Sequence, residues 1–138
     1  MKDKMIKKIN INGLTLGYQE QGEGKDLLLL HGGVSDSRFW QEQLKSFSDT
    51  YHVIAWDAPG CGLSDDPPEG FSLGDYADTL AGFCHSLGVE HPHVLGLSFG
   101  GGLAISFAHR HPEIPKTLIL VSAYAGWAGS LSAREVAR

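Results

Sequence analysis

The sequence predicts an α/β fold in which a mostly parallel sheet begins with a hairpin and carries helices on both faces. Two strand-like segments near the amino end are joined by Asn12–Gly13, a dipeptide typical of hairpin turns. Continuous apolar runs then alternate with segments of helical length. Such alternation forms parallel sheets covered on both sides. At 138 residues the chain has the size of one domain with its own core.

The first half of the chain supplies four predicted strands and one predicted helix. The hairpin accounts for Ile6–Ile11 and Leu14–Gln19. Leu27–Leu30 is a continuous apolar run, which is typical of a strand buried on both faces. Val53–Trp56 is a second such run, and Arg38–Phe47 between them is predicted as a helix.

The spacing of Ser72 and Asp75 matches a capping box and predicts a helix from there to about Leu87. Gly88 is the expected stop signal.

The last predicted strands are Val94–Leu97 and Leu118–Val121, which brings the total to about six. Phe99–His111 is predicted as the helix between them, ended by a proline. Leu131–Arg138 has the composition of the first turns of a further helix.

Three predicted strands end at unusual loops, which begin at His31, Asp57 and Ser98. In open parallel sheets, ligands bind beyond the carboxyl ends of the strands. The sequence therefore predicts a functional site where these three loops meet.

The third loop contains Gly96-Leu97-Ser98-Phe99-Gly100, which matches the G-x-S-x-G pattern of a nucleophilic serine on a strand-to-helix turn. The tight turn excludes side chains two positions away from the serine. The following helix start offers backbone N–H groups to an oxyanion. Because the chain holds 18 glycines, the short pattern is weak alone. Its place between a strand and a helix favours a nucleophile.

Three motifs occur in the order in which the α/β-hydrolase family carries them, and the chain resembles that family over nearly all its length. The motifs are His31-Gly32-Gly33, Asp57-x-x-Gly60-x-Gly62-x-Ser64, and GLSFGGG at 96–102, which includes Gly96 and Gly100.

The resemblance implies that Ser98 is the nucleophile. It implies an oxyanion hole made by the backbone N–H groups of Gly33 and Phe99, with Val34 as the less favoured donor. It also implies that His31 shapes the oxyanion loop and is not the catalytic base. Asp57 is expected to stabilise the glycine-rich turn through its own side chain.

The activity implied by the resemblance is serine-dependent hydrolysis of a carboxylic ester, a lactone or a related small carbonyl substrate, without a cofactor. Hydrolysis of C–C bonds, peptide-bond hydrolysis at an amino terminus, acyl transfer and perhydrolysis share the same elbow and stay open.

In this family an acid and then a histidine follow the nucleophile in the chain. The later histidines are His109 and His111, and a rise of about 1.5 Å per residue places His111 about 18 Å from the serine. The later acids are Glu113 and Glu135, neither at the expected place.

The chain therefore resembles the first half of a hydrolase. Residues 1–127 are expected to form the amino-terminal part of the core, and 128–138 to begin a cap or lid. The last predicted strand would then have a free apolar edge, which favours self-association. The alternatives are a catalytically incomplete fragment, a ligand-binding module, or one half of a two-chain hydrolase.

Composition argues against several other classes. The net charge is −5 and no basic cluster follows the amino-terminal MKDKMIKK, which disfavours nucleic-acid binding. No apolar run reaches the length of a membrane span, and the first residues lack the apolar stretch that is typical of a signal peptide. Cys61 and Cys84 are expected to be reduced thiols of a cytoplasmic protein, and Cys61 is expected to be unreactive.

Two further groups of residues are candidates for binding. His91-Pro92-His93 is predicted to be a solvated turn and not a metal site. The candidates for lining an apolar acyl pocket are Phe39, Trp40, Phe99, Tyr124 and Trp127.

Overall fold

The computed structural model describes residues 6–123, which form one sheet of six strands with three α-helices. The strands are β1 Lys7–Ile11, β2 Leu14–Gln21, β3 Lys25–Leu30, β4 Tyr51–Trp56, β5 His93–Leu97 and β6 Thr117–Val121. The helices are α1 Gln41–Phe47, α2 Leu73–Ser86 and α3 Phe99–Arg110. The predicted α/β fold is confirmed, while the predicted helix at 131–138 lies outside the described residues.

The strands lie side by side in the order β1-β2-β4-β3-β5-β6. The pairs β1–β2 and β2–β4 are antiparallel, and the other three pairs are parallel. Crossover connections put the carboxyl ends of β3, β4 and β5 at one edge of the sheet. This is the edge at which the three unusual loops were expected to meet.

The hairpin between β1 and β2 has the predicted turn. Asn12 and Gly13 both have positive φ angles, 50° and 90°, as a two-residue type I′ turn requires. Asn10 Oδ1 accepts a hydrogen bond from Gly13 N at 3.1 Å, which holds the turn from the strand side.

Helices cover both faces of the sheet because side chains of a strand alternate between the faces. Leu28 and Ile54 point to the side of α2 and α3, where the larger core forms around Phe83 and Phe107. The opposite face carries a smaller core, made with the help of α1, whose buried members are Leu27, Leu29, Trp40, Leu44, Val53 and Ala55.

The bounds of α2 and α3 follow the signals expected from the sequence. Ser72 and Asp75 form the full capping box at the start of α2, and Gly88 has φ 71° just beyond its end. The helix α3 ends at Arg110, because His111 precedes a proline and leaves the helical region.

The predicted helix at 38–47 is wrong in its first turn, which is a 3₁₀ turn over Ser37–Trp40 followed by α1. A 3₁₀ turn has three residues per turn, so Ser37 and Trp40 share one side. Both are buried, and Asp36 caps the turn through Arg38 N at 2.9 Å.

The strand β6 is the edge of the described sheet on the side away from the hairpin. Ile119, Leu120 and Val121 are 47%, 44% and 42% exposed, so both faces of the strand reach solvent within residues 6–123. No helix in this range is long and apolar enough to cross a bilayer.

Candidate active site

Ser98 lies where β5 ends and α3 begins. Its φ of 53° and ψ of −113° fall outside the regions that L-residues ordinarily occupy. Such conformations cost about 1–3 kcal/mol and persist only where the surrounding structure holds them. The residue is exposed, and its hydroxyl makes no capping bond to α3. The turn thus presents the serine hydroxyl beyond the edge of the sheet.

The glycines two positions to either side of Ser98 have no room for a side chain. A Cβ built on Gly96 would overlap the carbonyl oxygen of Gly100. A Cβ on Gly100 would overlap the carbonyl oxygen of Leu30 and lie 2.7 Å from that of His31. These obstacles are backbone atoms, so the turn requires glycine at both positions.

The loop after β3 runs beside the serine. A Cβ built on Gly32 would lie 3.7 Å from the Cβ of Ser98, and one on Gly33 would lie 3.9 Å from the Cβ of Phe99. Within residues 6–123, the backbone N–H groups of Gly33 and Phe99 donate to no acceptor. Two N–H groups from different loops are therefore available next to the serine.

The same loop turns sharply at Val34, which has φ 54° and a fully exposed side chain. Left-handed backbone costs an L-residue about 1–2 kcal/mol and is least suited to β-branched ones. The loop is therefore held in this path by contacts elsewhere.

One such contact comes from His31, which is buried at the start of the loop. Its Nε2 lies 3.0 Å from Ala58 N, and its Nδ1 lies 2.7 Å from the carbonyl oxygen of Gly32. Because a backbone N–H only donates, Nε2 is the acceptor, and the ring proton sits on Nδ1. Both ring nitrogens of His31 are thus occupied by loop backbone.

The second contact comes from Asp57, which is fully buried after β4. Its Oδ1 accepts from Ser37 N at 2.7 Å, and its Oδ2 accepts from Leu63 N at 3.0 Å. A Cβ on Gly62 would overlap this carboxyl group, and one on Gly17 would lie 2.6 Å from Oδ2. The two glycines make the space in which the carboxylate sits.

The remaining motif residues hold the glycine-rich turn in shape. Ser64 Oγ donates to the carbonyl oxygen of Asp57 at 2.6 Å and accepts from Gly17 N at 2.9 Å. Gly60 has φ 82° and its N–H donates to the carbonyl oxygen of Asp65 at 2.9 Å. The structure therefore brings His31, Asp57 and Ser98 to one edge, where the first two contact backbone.

The two cysteines are not bonded to each other. Burial raises the pKa of the half-buried Cys61 thiol, and the nearby carboxylates of Asp57 and Asp36 raise it further. Burial raises the pKa of Cys84 to about 12. Both thiols are therefore protonated and poor nucleophiles near neutral pH.

The histidines that follow Ser98 lie at the opposite end of α3. His109 is exposed there, and His111 Nε2 makes a 2.8 Å hydrogen bond with Asp78 of α2. Glu113 lies near this end with its carboxyl 4.0 Å from the His111 ring. None of these groups reaches the serine, and Glu135 lies outside the described residues.

His91 and His93, which were predicted to lie in a solvated turn, contact different partners. His91 Nδ1 lies 3.3 Å from the carbonyl oxygen of Ile114, and His93 Nδ1 lies 2.7 Å from Thr117 Oγ1. In the described part of the chain, no three His, Cys, Asp or Glu side chains are grouped for metal binding.

The aromatic candidates separate into different environments. Trp40 is buried in the smaller core, Phe39 is 56% exposed, and Phe99 is 38% exposed beside Ser98. Tyr124 and Trp127 lie outside the described residues.

Sequence reasoning missed the contact of Phe99 with Tyr76 and the contact of Tyr76 with Phe71. Tyr76 lies 5.6 Å from Phe99, centroid to centroid, and Phe71 lies 4.9 Å from Tyr76. The signal for the second contact was present. Phe71 precedes the capping residue Ser72 and Tyr76 is the fourth residue of the helix, the spacing of a hydrophobic staple.

Comparison with known proteins identifies the family of this fold. The profile of the alpha/beta hydrolase fold family matches residues 26–135. Since the match covers most of the chain, the protein belongs to the alpha/beta hydrolase fold family.

Several similar proteins are hydrolases by name. The chain is 38% identical over 115 residues to 2-hydroxymuconate semialdehyde hydrolase of Pseudomonas putida, which covers 78% of this chain and 41% of that protein. It is 31% identical over 115 residues to 2-(acetamidomethylene)succinate hydrolase of Mesorhizobium japonicum, with coverage of 83% and 41%. A thermophilic esterase from Thermogutta terrifontis superposes with a TM-score of 0.81 at 32% identity, covering 88% of this chain and 46% of that one. The chain thus spans about two fifths of the length of these two curated relatives.

Proposed function

We propose that Ser98 is the nucleophile of a serine hydrolase whose substrate is a carboxylic ester, a lactone or a related small carbonyl compound. The observation that carries this proposal is the exposed serine held in strained backbone at the strand-to-helix turn. Strain of this kind is concentrated at functional sites. A serine with a merely structural role has no need of it.

The surroundings of Ser98 fit acyl chemistry. Attack of Oγ on a carbonyl carbon places negative charge on the carbonyl oxygen, which needs hydrogen-bond donors. The N–H groups of Gly33 and Phe99 are the two available donors, and the amino-terminal end of α3 adds a favourable dipole. His31 and Asp57 support these donors by fixing the path of the 31–37 loop.

The proton of Ser98 needs a histidine base and an acid to orient it. Within residues 6–123 no side chain is hydrogen-bonded to the serine hydroxyl, so we propose that both partners come from sequence outside residues 1–138. On this proposal the 138-residue chain alone is inactive, or acts as a ligand-binding module or as one half of a two-chain enzyme. We also propose a cytoplasmic location, which the two unbonded cysteines support.

The first experiment is to measure the intact mass of the protein from its source cells. The second is to treat it with a fluorophosphonate that labels activated serines. We expect a mass near twice the 14.9 kDa of the present chain, and a label on the peptide containing Ser98. Ser98→Ala should abolish labelling. Ser106→Ala, on the same helix, should leave it unchanged.

Each outcome decides between the alternatives. A mass of 14.9 kDa with labelling that requires a second polypeptide would favour the two-chain enzyme. A folded protein of the larger mass that takes no label and hydrolyses no small ester would refute the proposed nucleophile.

A further inference from the structure

Next to Ser98, three aromatic rings from three segments form a continuous row. Phe71 packs edge-on against Tyr76, with ring planes at 74°, and Tyr76 packs edge-on against Phe99, with ring planes at 82°. Edge-to-face packing places the positive rim of one ring against the negative face of the next. We call Phe71, Tyr76 and Phe99 the aromatic row.

The row is fixed at its inner part. Tyr76 packs against the larger core, and its hydroxyl donates to the carbonyl oxygen of Pro59 at 3.3 Å. The capping box of Ser72 and Asp75 sets the first turn of α2, which carries Tyr76 one residue later. The position of the Phe99 ring is therefore set by a helix that is itself capped and packed.

The outer end of the row is open. Phe99 is 38% exposed within the described residues, although it is a large apolar side chain next to the proposed nucleophile. Gly33 of the neighbouring loop lies close by, since a Cβ built on it would be 3.9 Å from the Cβ of Phe99.

We propose that the aromatic row is a substrate subsite for an aryl group attached through the acyl part of the substrate. This inference rests on the proposed function of Ser98, because it is the serine that makes the neighbouring space an acyl site. An aryl ring of the substrate, placed against Phe99, would make one further edge-to-face contact at the open end of the aromatic row. A saturated ring of similar size gains only the burial of apolar area.

The test compares phenylacetate with cyclohexylacetate, which differ in the flatness and quadrupole of the ring. Binding of the two acids is measured by ligand-observed NMR, and hydrolysis is measured with their ethyl esters. The protein is the full polypeptide as isolated from its source. We expect the wild type to prefer the phenyl compound about two- to tenfold, the range that one edge-to-face pair supplies.

Phe99→Leu keeps the backbone N–H and removes the ring, so it should abolish the preference in both measurements. Phe47→Leu is the matched control, because Phe47 is 39% exposed but lies at the opposite edge of the sheet, where α1 ends. Tyr76→Leu should reduce the preference by releasing Phe99, whereas Tyr76→Phe should keep it. The Tyr76 pair decides the matter if Phe99→Leu fails to fold.

The two proposals fail in different ways. The wild type could prefer the phenyl acid in binding, and Phe99→Leu could remove that preference, without any hydrolysis or labelling of Ser98. This result would refute the proposed serine hydrolase and support the proposed subsite. If Phe99→Leu does not change the ratio of the hydrolysis rates of the phenyl and cyclohexyl esters, the proposed subsite is refuted. It is also refuted if the wild type binds neither acid.

Discussion

Ser37 N donates a 2.7 Å hydrogen bond to Oδ1 of Asp57 and thereby ties the end of the loop after β3 to the end of β4. The start of the same loop is held by Ala58, the residue after Asp57, because Ala58 N donates to His31 Nε2. Asp57 and Ala58 thus hold the two ends of the loop that carries Gly33. The path of this loop depends on a buried carboxylate and a buried imidazole.

Replacing Asp57 with asparagine tests the carboxylate. An amide has one acceptor atom and one donor group, so it cannot accept from both Ser37 N and Leu63 N. Leaving a buried donor unsatisfied costs about 1–3 kcal/mol. We expect Asp57→Asn to lower the free energy of unfolding by that amount, measured by urea denaturation.

The control for this change is Asp66→Asn in the same loop region, at an exposed position. It should change the free energy of unfolding by less than about 0.5 kcal/mol. Equal effects of the two substitutions would mean that the hydrogen bonds of Asp57 do not hold the loop.

Gly100→Ala tests the close approach of α3 to β3. The new Cβ would overlap the carbonyl oxygen of Leu30, and the strand cannot yield because it lies in the middle of the sheet. We expect a loss of about 1–3 kcal/mol, as for overpacking in a core. Gly74→Ala is the matched helical control, since the atoms nearest its Cβ would be side-chain atoms, 3.3 Å away on Arg110 and 3.5 Å away at Ser72 Oγ.

Alanine at Gly74 should be neutral or stabilising by up to about 1 kcal/mol, because alanine is the better helix former. Thermal melting of the two variants side by side distinguishes a packing effect from a general intolerance of alanine. A Gly100→Ala protein as stable as the wild type would contradict the packing geometry.

The sequence predicted most of this architecture because the motifs are local. The hairpin, the buried runs and the capping box each follow from residues a few positions apart. The strands β3 and β4 are longer than their apolar runs, because Lys25 and Asp26 pair with Tyr51 and His52 at the polar end of the ladder. Because these residues are polar, a pattern of apolar residues does not predict that they belong to the strands.

Contacts between distant segments were not predictable in the same way. The pairing of Tyr76 with Phe99 depends on how α2 packs beside α3, which no spacing in the sequence encodes. The same holds for Gln19 in the buried part of β2, whose Nε2 donates to Ser37 Oγ at 3.0 Å. The candidate nucleophile was predictable from a local motif, whereas the shape of its surroundings depends on how distant segments pack.

Ser98→Gly tests the strain at the proposed nucleophile. Glycine has no Cβ and tolerates positive φ, whereas alanine keeps the steric conflict of serine. We expect Ser98→Gly to be about 1 kcal/mol more stable than Ser98→Ala, as the relief of strain exceeds the entropy cost of glycine. Urea denaturation of both variants measures the difference, and a more stable alanine variant would argue against strain.

His52 provides a pH-dependent contribution to stability. Its Nδ1 lies 2.7 Å from Asp26 Oδ1 and its Nε2 lies 2.7 Å from Glu20 Oε2, so the doubly protonated ring can donate to both carboxylates. Burial by itself lowers the pKa of His52, but the two hydrogen bonds outweigh it, and the pKa lies above the ordinary 6.5. A raised pKa means that the protonated ring stabilises the folded state.

This stabilisation is complete below pH 6.5 and is lost as the pH rises through the higher pKa of the folded protein. His52→Gln should therefore destabilise the protein more at pH 6 than at pH 9, in urea denaturation at the two values. The exposed His85→Gln should show no such difference. A pH-independent effect of His52→Gln would contradict the ion-paired arrangement.

The free edge of β6 leads us to propose that the 138-residue chain self-associates. The strand has unpaired backbone groups on its outer side within the described residues, and Ile119 is 47% exposed. Edges of this kind pair with other chains unless a charge blocks them. We expect the isolated chain to sediment as species larger than a monomer, and Ile119→Lys to shift it towards the monomer. Leu63→Lys, at a similarly exposed apolar position in a loop, should leave the association unchanged. A sharp monomeric boundary with cooperative melting of the unmodified chain would show that the edge is protected.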